Sequence, residues 1–289
     1  MSRSSEASSR HRRGRWRLGW PVIAMIAILL AAVACGGTSQ PTSTSQTSTA
    51  PTSPPASTVN YCPQLVVPAY FYSSAIWTQA ADSQPTPSDI ILDISGEGAG
   101  TAPQAHFLAV AKQAEAAGET ILGYISTVDG QRPASQVETE VRNYKAWYGV
   151  TNIFLDRVSG EPQQVAYYQQ IVNYIHQFNA GSSVWLNPGD FPDQQYMSIG
   201  NVVMVFEGTY SQYLALQVPS WVYSYPASKF AHTIYATSGA DLTNALKLAG
   251  SRRGGHVYVT DGSGANPYAG LPSYWSREDS AAASGCASG

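Results

Sequence analysis

Eight short apolar runs recur between residues 65 and 260: Leu65–Tyr72, Asp89–Ser95, Thr120–Thr127, Asn152–Val158, Ser183–Pro188, Asn201–Glu207, Ala231–Thr237 and His256–Thr260. Most are continuous rather than alternating, the pattern of strands covered on both faces. Segments of helical period separate several of them. Ala102–Ala117 gathers Phe107, Leu108, Val110, Ala111 and Ala114 on one face, and Ala134–Tyr148 gathers Val137, Val141, Tyr144 and Trp147 or Tyr148. Glu161–Phe178 repeats Val165, Tyr168, Ile171, Val172 and Ile175, and Ala240–Ala249 offers Leu242, Ala245, Leu246 and Ala249. The crossovers after the fifth and sixth runs are irregular, and Pro219 and Pro226 interrupt the sixth. Strand and helix in alternation predict an α/β fold, and eight such units predict a single-domain (β/α)8 TIM-type barrel. A doubly wound open sheet is the alternative. No G-x-G-x-x-G follows the first run, and Gly96-Glu-Gly-Ala-Gly100 has the wrong spacing and position for a dinucleotide cradle. It reads as a substrate loop.

The chain ahead of the first run changes the picture. Residues 1–20 carry six arginines and one acid, and the apolar run Pro21–Ala34 follows. A basic start, a short apolar stretch and small residues before a cleavage point make a secretory signal. Cys35 directly follows Ala34, as in a bacterial lipoprotein box, although Ala32 stands where leucine is usual. The expectation is a lipoprotein-type signal over 1–34, lipidated at Cys35, with a plain signal peptide or an uncleaved anchor as alternatives. Residues 35–60 are a Ser/Thr/Pro-rich segment that cannot bury enough apolar surface to fold. It reads as a tether for a domain over 61–289. The mature chain would be secreted and held on the extracytoplasmic face of a membrane.

Charge and cysteines narrow the chemistry further. From Cys35 onward there are ten basic and eighteen acidic residues, a net charge of −8. That balance argues against nucleic acid. Cys62 and Cys286 flank the domain, and outside the cell they could staple its ends, which lie close together in a closed barrel; two free thiols are the alternative. The histidines are scattered, no metal triad is evident, and no cofactor is expected. A monomer is expected.

A barrel places its site at the C-terminal strand tips. There the sequence offers Tyr70 and Tyr72 from the first strand, Asp93 from the second, and Tyr124, Asp129 and Arg132 from the third. Asp156 and Arg157 end the fourth, Asn187 the fifth, Glu207 the sixth, Tyr235 the seventh and Asp261 the eighth. No Gly-x-Ser-x-Gly elbow is present, so acyl transfer through serine is not indicated. Two acids at strand tips, Asp156 and Glu207, suit acid/base cleavage of an acetal, in which one carboxyl protonates the leaving oxygen and the other attacks carbon or activates water. Tryptophans such as Trp77, Trp147 and Trp221 could stack on sugar faces or pack beneath helices.

Several motifs in order carry a resemblance: Val67-Pro68-Ala-Tyr70, Leu122-Gly-Tyr124-Ile-Ser-Thr127, Asp129-Gly-Gln-Arg132, Trp147-Tyr148, Ile153-Phe-Leu-Asp156, Leu186-Asn187-Pro-Gly189 and Val205-Phe-Glu207. Over residues 65–277 the chain resembles the spherulation-specific family 4, or spherulin-4-like, proteins, several of which are glycoside hydrolases. The resemblance implies a (β/α)8-type fold. It also implies endo-cleavage, with retention, of an α-1,4-linked polysaccharide containing N-acetylgalactosamine. It assigns that chemistry to an adjacent Asp-Glu pair on the fourth strand and a Glu on the sixth. Asp156 and Glu207 match two of the three positions. Arg157 stands where the second acid of the pair is usual, and Asp93-Ile-Ser95 replaces an Asn-Pro-Asn-like turn. Arginine can act neither as base nor as nucleophile. Two functions follow: a cell-surface hydrolase working with Asp156 and Glu207, or a barrel that binds sugar without cutting it, with Arg157 clamping an anionic group of the ligand.

Overall fold

A computed structural model describes residues 62–82 and 88–286, with the side chains of 285 and 286 outside the description. The signal segment, Cys35 and the tether therefore lie outside the described residues. Eight strands are β1 (Gln64–Ala69), β2 (Asp89–Leu92), β3 (Thr120–Ser126), β4 (Asn152–Asp156), β5 (Val184–Leu186), β6 (Val202–Thr209), β7 (Phe230–Tyr235) and β8 (His256–Val259). All pair in parallel, each with its sequence neighbour, and β8 returns to β1 to close the barrel. Closure excludes the open-sheet alternative. The strand residues are nearly all buried because helices cover the outside and side chains fill the inside.

The helices are α1 (Ser74–Ala81), α2 (Ala105–Ala117), α3 (Ala134–Tyr148), α4 (Val165–Phe178), α5 (Tyr210–Leu214), α6 (Leu242–Ser251) and α7 (Trp275–Cys286). Those predicted from period bury the predicted faces: Val137, Val141, Tyr144 and Tyr148 on α3, and Tyr168, Ile171, Val172 and Ile175 on α4. The irregular crossovers are there as well. A 3-10 turn over Gln194–Ser198 follows β5, and α5 with two further 3-10 turns follows β6. Pro219 and Pro226 each stand at the N-cap of one of those turns, where a missing N–H costs nothing.

Three helices escape a reading by period, and α5 does so because it has only five residues. The eight residues of α1 are too few to establish a face, which packs through Trp77, Ala80 and Ala81. The polar sequence of α7 buries Glu278 and Asp279 beside Ala282. Its place in the fold explains this. β1 and β8 share only two register pairs, and beyond them the Val259 N–H donates to Glu278 Oε1 at 2.6 Å. A buried carboxyl thus takes a backbone donor at the seam of the barrel.

The tryptophans named above belong to the packing. Trp77 is buried and donates to the Phe71 carbonyl, Trp147 sits edge-on to Tyr148, and Trp221 packs on Phe191, Tyr225 and Phe230. Cys62 is disulfide-bonded. Cys286 ends α7, and its side chain lies outside the described residues.

Candidate active site

The strand tips converge on a carboxylate pair. Asp156 is the last residue of β4, and Glu207 lies in β6 just after a shift in register against β7 between Met204 and Phe206. Such an irregularity re-aims the side chains that follow it. Phe206 packs outward on Tyr213 of α5, while Glu207 turns to the barrel mouth. Asn187, one residue beyond β5, joins the two acids. Its Nδ2 donates to Asp156 Oδ1 at 2.7 Å and to Glu207 Oε2 at 2.8 Å. The two oxygens that share this amide nitrogen, Asp156 Oδ1 and Glu207 Oε2, lie no more than about 5.5 Å apart, so both acids face one small space.

Each acid has a phenol of its own. Tyr124 donates to Asp156 Oδ2 at 2.7 Å, and Tyr268 donates to Glu207 Oε1 at 2.9 Å. Tyr70 stands between these phenols, edge-on to Tyr124 at 5.7 Å and to Tyr268 at 5.5 Å. The backbone behind Asp156 is gripped as firmly. Thr127 Oγ1 donates to the carbonyls of Asp156 and Arg157, and the Asp129 N–H donates to the Arg157 carbonyl at 2.8 Å. These bonds hold Val128, Asp129 and Arg157 at positive φ, a conformation that costs a non-glycine residue about 1–2 kcal/mol.

Electrostatics separates the two acids. Burial raises the Asp156 carboxyl above its usual range, while the Tyr124 hydroxyl, the Arg157 N–H, Asn187 and the Arg157 charge each pull it back. Glu207 is raised by burial and then by the negative charge of Asp156, with only Asn187 and Tyr268 opposing. Both carboxyls are thus held above their usual range, and the negative charge of Asp156 acts against ionisation of Glu207. Asp93 is a third acid nearby. Burial raises it, the Gly96 and Ser95 amides lower it, and the Asp156 charge raises it again.

Of the residues named from sequence, Asp156, Glu207, Asn187, Tyr124, Tyr70 and Asp93 come together. Tyr235 borders them, edge-on to Tyr268 at 6.3 Å. The others lie outside this cluster. Arg132 pairs with Glu140 at 2.7 Å and donates to the Glu97 and Ser126 carbonyls, so its fork ties loops together. Arg157 pairs with Asp129 at 2.8 Å, and both side chains are about half exposed, 49% and 52%. The guanidinium expected to clamp a ligand anion thus already has a carboxylate. Asp261 accepts from the Ser273 N–H and hydroxyl, closing the loop after β8. Tyr72 lies on the rim, 65% exposed.

Tyr268 is the residue that sequence reading missed. It sits in the glycine- and proline-containing loop after β8, outside any periodic segment. Asn266 shapes that loop, accepting from the Tyr268 N–H and donating to the Tyr70 carbonyl. An aromatic residue following Asn-Pro in a strand-tip loop was the available signal. Two buried histidines serve packing: His232 lies against the Tyr213 hydroxyl and its pKa is lowered to about 3 by burial, and His256 bonds Asp89.

Comparison with known proteins agrees with this architecture. Residues 64–282 match the family described as Spherulation-specific family 4. The chain is 32% identical over 231 residues to Spherulin-4 of Physarum polycephalum, covering 75% of this chain and 69% of that protein. Among solved structures it is similar to Aspergillus clavatus Sph3 in complex with GalNAc, with a TM-score of 0.67, 21% identity, and coverage of 76% of this chain and 97% of that one. With that match across nearly all of its barrel, the chain belongs to spherulation-specific family 4.

Proposed function

We propose that this protein is a glycoside hydrolase that cleaves within an α-linked polysaccharide of N-acetylgalactosamine or galactosamine, using Asp156 and Glu207. The observation that carries the reading is the single Asn187 amide shared by the two acids, so that both face one small space. Asp156, the better stabilised anion, attacks the anomeric carbon as the glycosidic C–O bond breaks. Glu207 gives its proton to the leaving oxygen. The ester formed on Asp156 is then displaced by water, whose proton returns to Glu207 as the Asp156 carboxylate leaves. Tyr124 and Tyr268 orient the two acids throughout. The GalNAc in the related fungal structure supports a sugar of this class.

A second reading has one observation in its favour. Arg157 stands where the resemblance expects an acid, so the barrel would bind the glycan without cutting it. Incubating the purified protein with α-linked galactosamine polymers, partly or fully acetylated, separates the two by mass spectrometry of the products. Hydrolysis predicts oligosaccharides from the parent and a loss of at least about 1,000-fold in Glu207→Gln with glycan binding retained. Retention on the polymer with no products from the parent favours the binding barrel, and unchanged turnover in Glu207→Gln removes that acid from the chemistry.

The site of action we propose is the outer face of a membrane, through a lipid on Cys35. Among the described residues no helix is long and apolar enough to cross a membrane. Cys35→Ala should move the protein from the membrane fraction to a soluble one. Membrane recovery equal to the parent's would refute the lipid anchor.

A further inference from the structure

We infer that Tyr72, stacked on His106, is a second sugar-binding subsite at the rim of the mouth, taking a residue of the polymer beyond the one held between the carboxylates. This rests on the reading of the cleft as a glycan site. The ring of Tyr72 lies on the His106 imidazole at 3.9 Å between centroids and 23° between planes, and it meets Phe107 edge-on at 5.6 Å. Phe107 is buried and anchors the cluster to α2. An exposed tyrosine normally rotates freely, whereas this one is held on two rings while 65% of its surface remains open. The molecule thus offers solvent a fixed aromatic face, and ordering it in advance removes much of the entropic cost of binding.

Its position fits a chain that runs through the cleft. Tyr72 lies two residues beyond Tyr70, so their Cα atoms are at most about 7 Å apart. Tyr70 sits among the acids, edge-on to Tyr124 and Tyr268, whose hydroxyls bond Asp156 and Glu207. Both halves of the platform are on the mouth side of the barrel: Tyr72 follows the C-terminal end of β1, and His106 opens α2 after the C-terminal end of β2. A hexosamine ring has one face of axial C–H groups, which matches an open aromatic face flanked by water. The occupant is therefore a pyranose of the same polymer.

The test compares ligand lengths in a Glu207→Gln background, so that nothing is cut. Calorimetry would follow binding of free N-acetylgalactosamine and of α-linked N-acetylgalactosamine oligomers of increasing length. Tyr72→Ala should weaken binding of the longer oligomers by roughly five- to tenfold, the loss of one aromatic contact, and leave the monosaccharide unchanged. Tyr72→Phe keeps the ring and should restore binding of the oligomers. Equal losses for monomer and oligomer, or no loss with either, would overturn the subsite while the cleft reading stands. If the Glu207→Gln parent binds neither monomer nor oligomer, both readings fall. Thermal melting equal to the parent's confirms that each variant is folded, as the exposure of Tyr72 leads one to expect.

Discussion

At the scale of single residues, the site turns on Asn187. One amide nitrogen serves two carboxylates that would otherwise repel each other in a buried setting, and it also sets their spacing. Replacing it leaves both acids short of a donor and free to drift. Asn187→Ala should therefore lower kcat by about 100-fold or more while the protein stays folded, since a displacement of about 1 Å at reacting groups costs that much. A pre-steady-state assay on a substrate with a good leaving group would check it, and a kcat within threefold of the parent would remove Asn187 from the positioning of the pair. Asp156, Asn187 and Glu207 were all legible as polar residues ending apolar runs. Tyr268 was not, because its hydroxyl reaches Glu207 across 61 residues of chain from a loop without periodic signal.

Among the elements, the fit of α3 against β3 governs how Asp156 is held. Tyr144 of α3 is fully buried and donates to the carbonyls of Leu92 and Tyr124. Its ring lies over Gly123, where a Cβ would stand 2.8 Å from ring carbons. The ring is fixed by its hydrogen bonds and has no room to yield. Gly123→Ala should cost about 1–3 kcal/mol in urea denaturation, the usual penalty for overpacking. Because Tyr124 is the next residue, activity should fall together with stability. A stability change below about 0.5 kcal/mol would mean that the ring moves after all. The strands and the helices α2, α3, α4 and α6 could be read from sequence because their apolar faces repeat. α1, α5 and α7 could not, the first two being too short and the third burying acids in place of aliphatic side chains.

For the whole molecule, burial pushes several carboxyls upward, among them Asp93, Glu119, Asp156, Glu207 and Glu278. Glu119, in the turn before β3, accepts from the Ser88 N–H, and its pKa is raised by burial, then by the charges of Asp279 and Asp89, to about 7. The folded state keeps this proton up to about pH 7, whereas the unfolded chain releases it near its ordinary 4.5. Its contribution to stability is thus fully present below 4.5 and is lost as pH rises through about 7. The other raised carboxyls act in the same direction, while buried His232, lowered from 6.5 to about 3, opposes them up to about pH 6.5. The melting temperature should be higher at pH 5 than at pH 8, and Glu119→Gln, which keeps an acceptor for Ser88, should flatten part of that slope. A melting temperature that climbs steadily from pH 5 to pH 8 would contradict the shared direction of the carboxyl shifts.

The sequence by itself determined the class and order of the fold, because eight continuous apolar runs separated by amphipathic helices have few ways to bury themselves other than as a closed parallel barrel. It also determined which residues end those runs, and so which acids could meet. Tertiary structure decided which of them do. The approach of Asn187 to both acids, the irregularity that turns Glu207 inward, and the reach of Tyr268 all depend on how distant strands are set side by side. The fates of Arg132, Arg157 and Asp261 were decided in the same way, since a polar side chain at a strand tip binds whichever partner lies within hydrogen-bond reach. For these three the partner is the protein itself, in Glu140, Asp129 and Ser273.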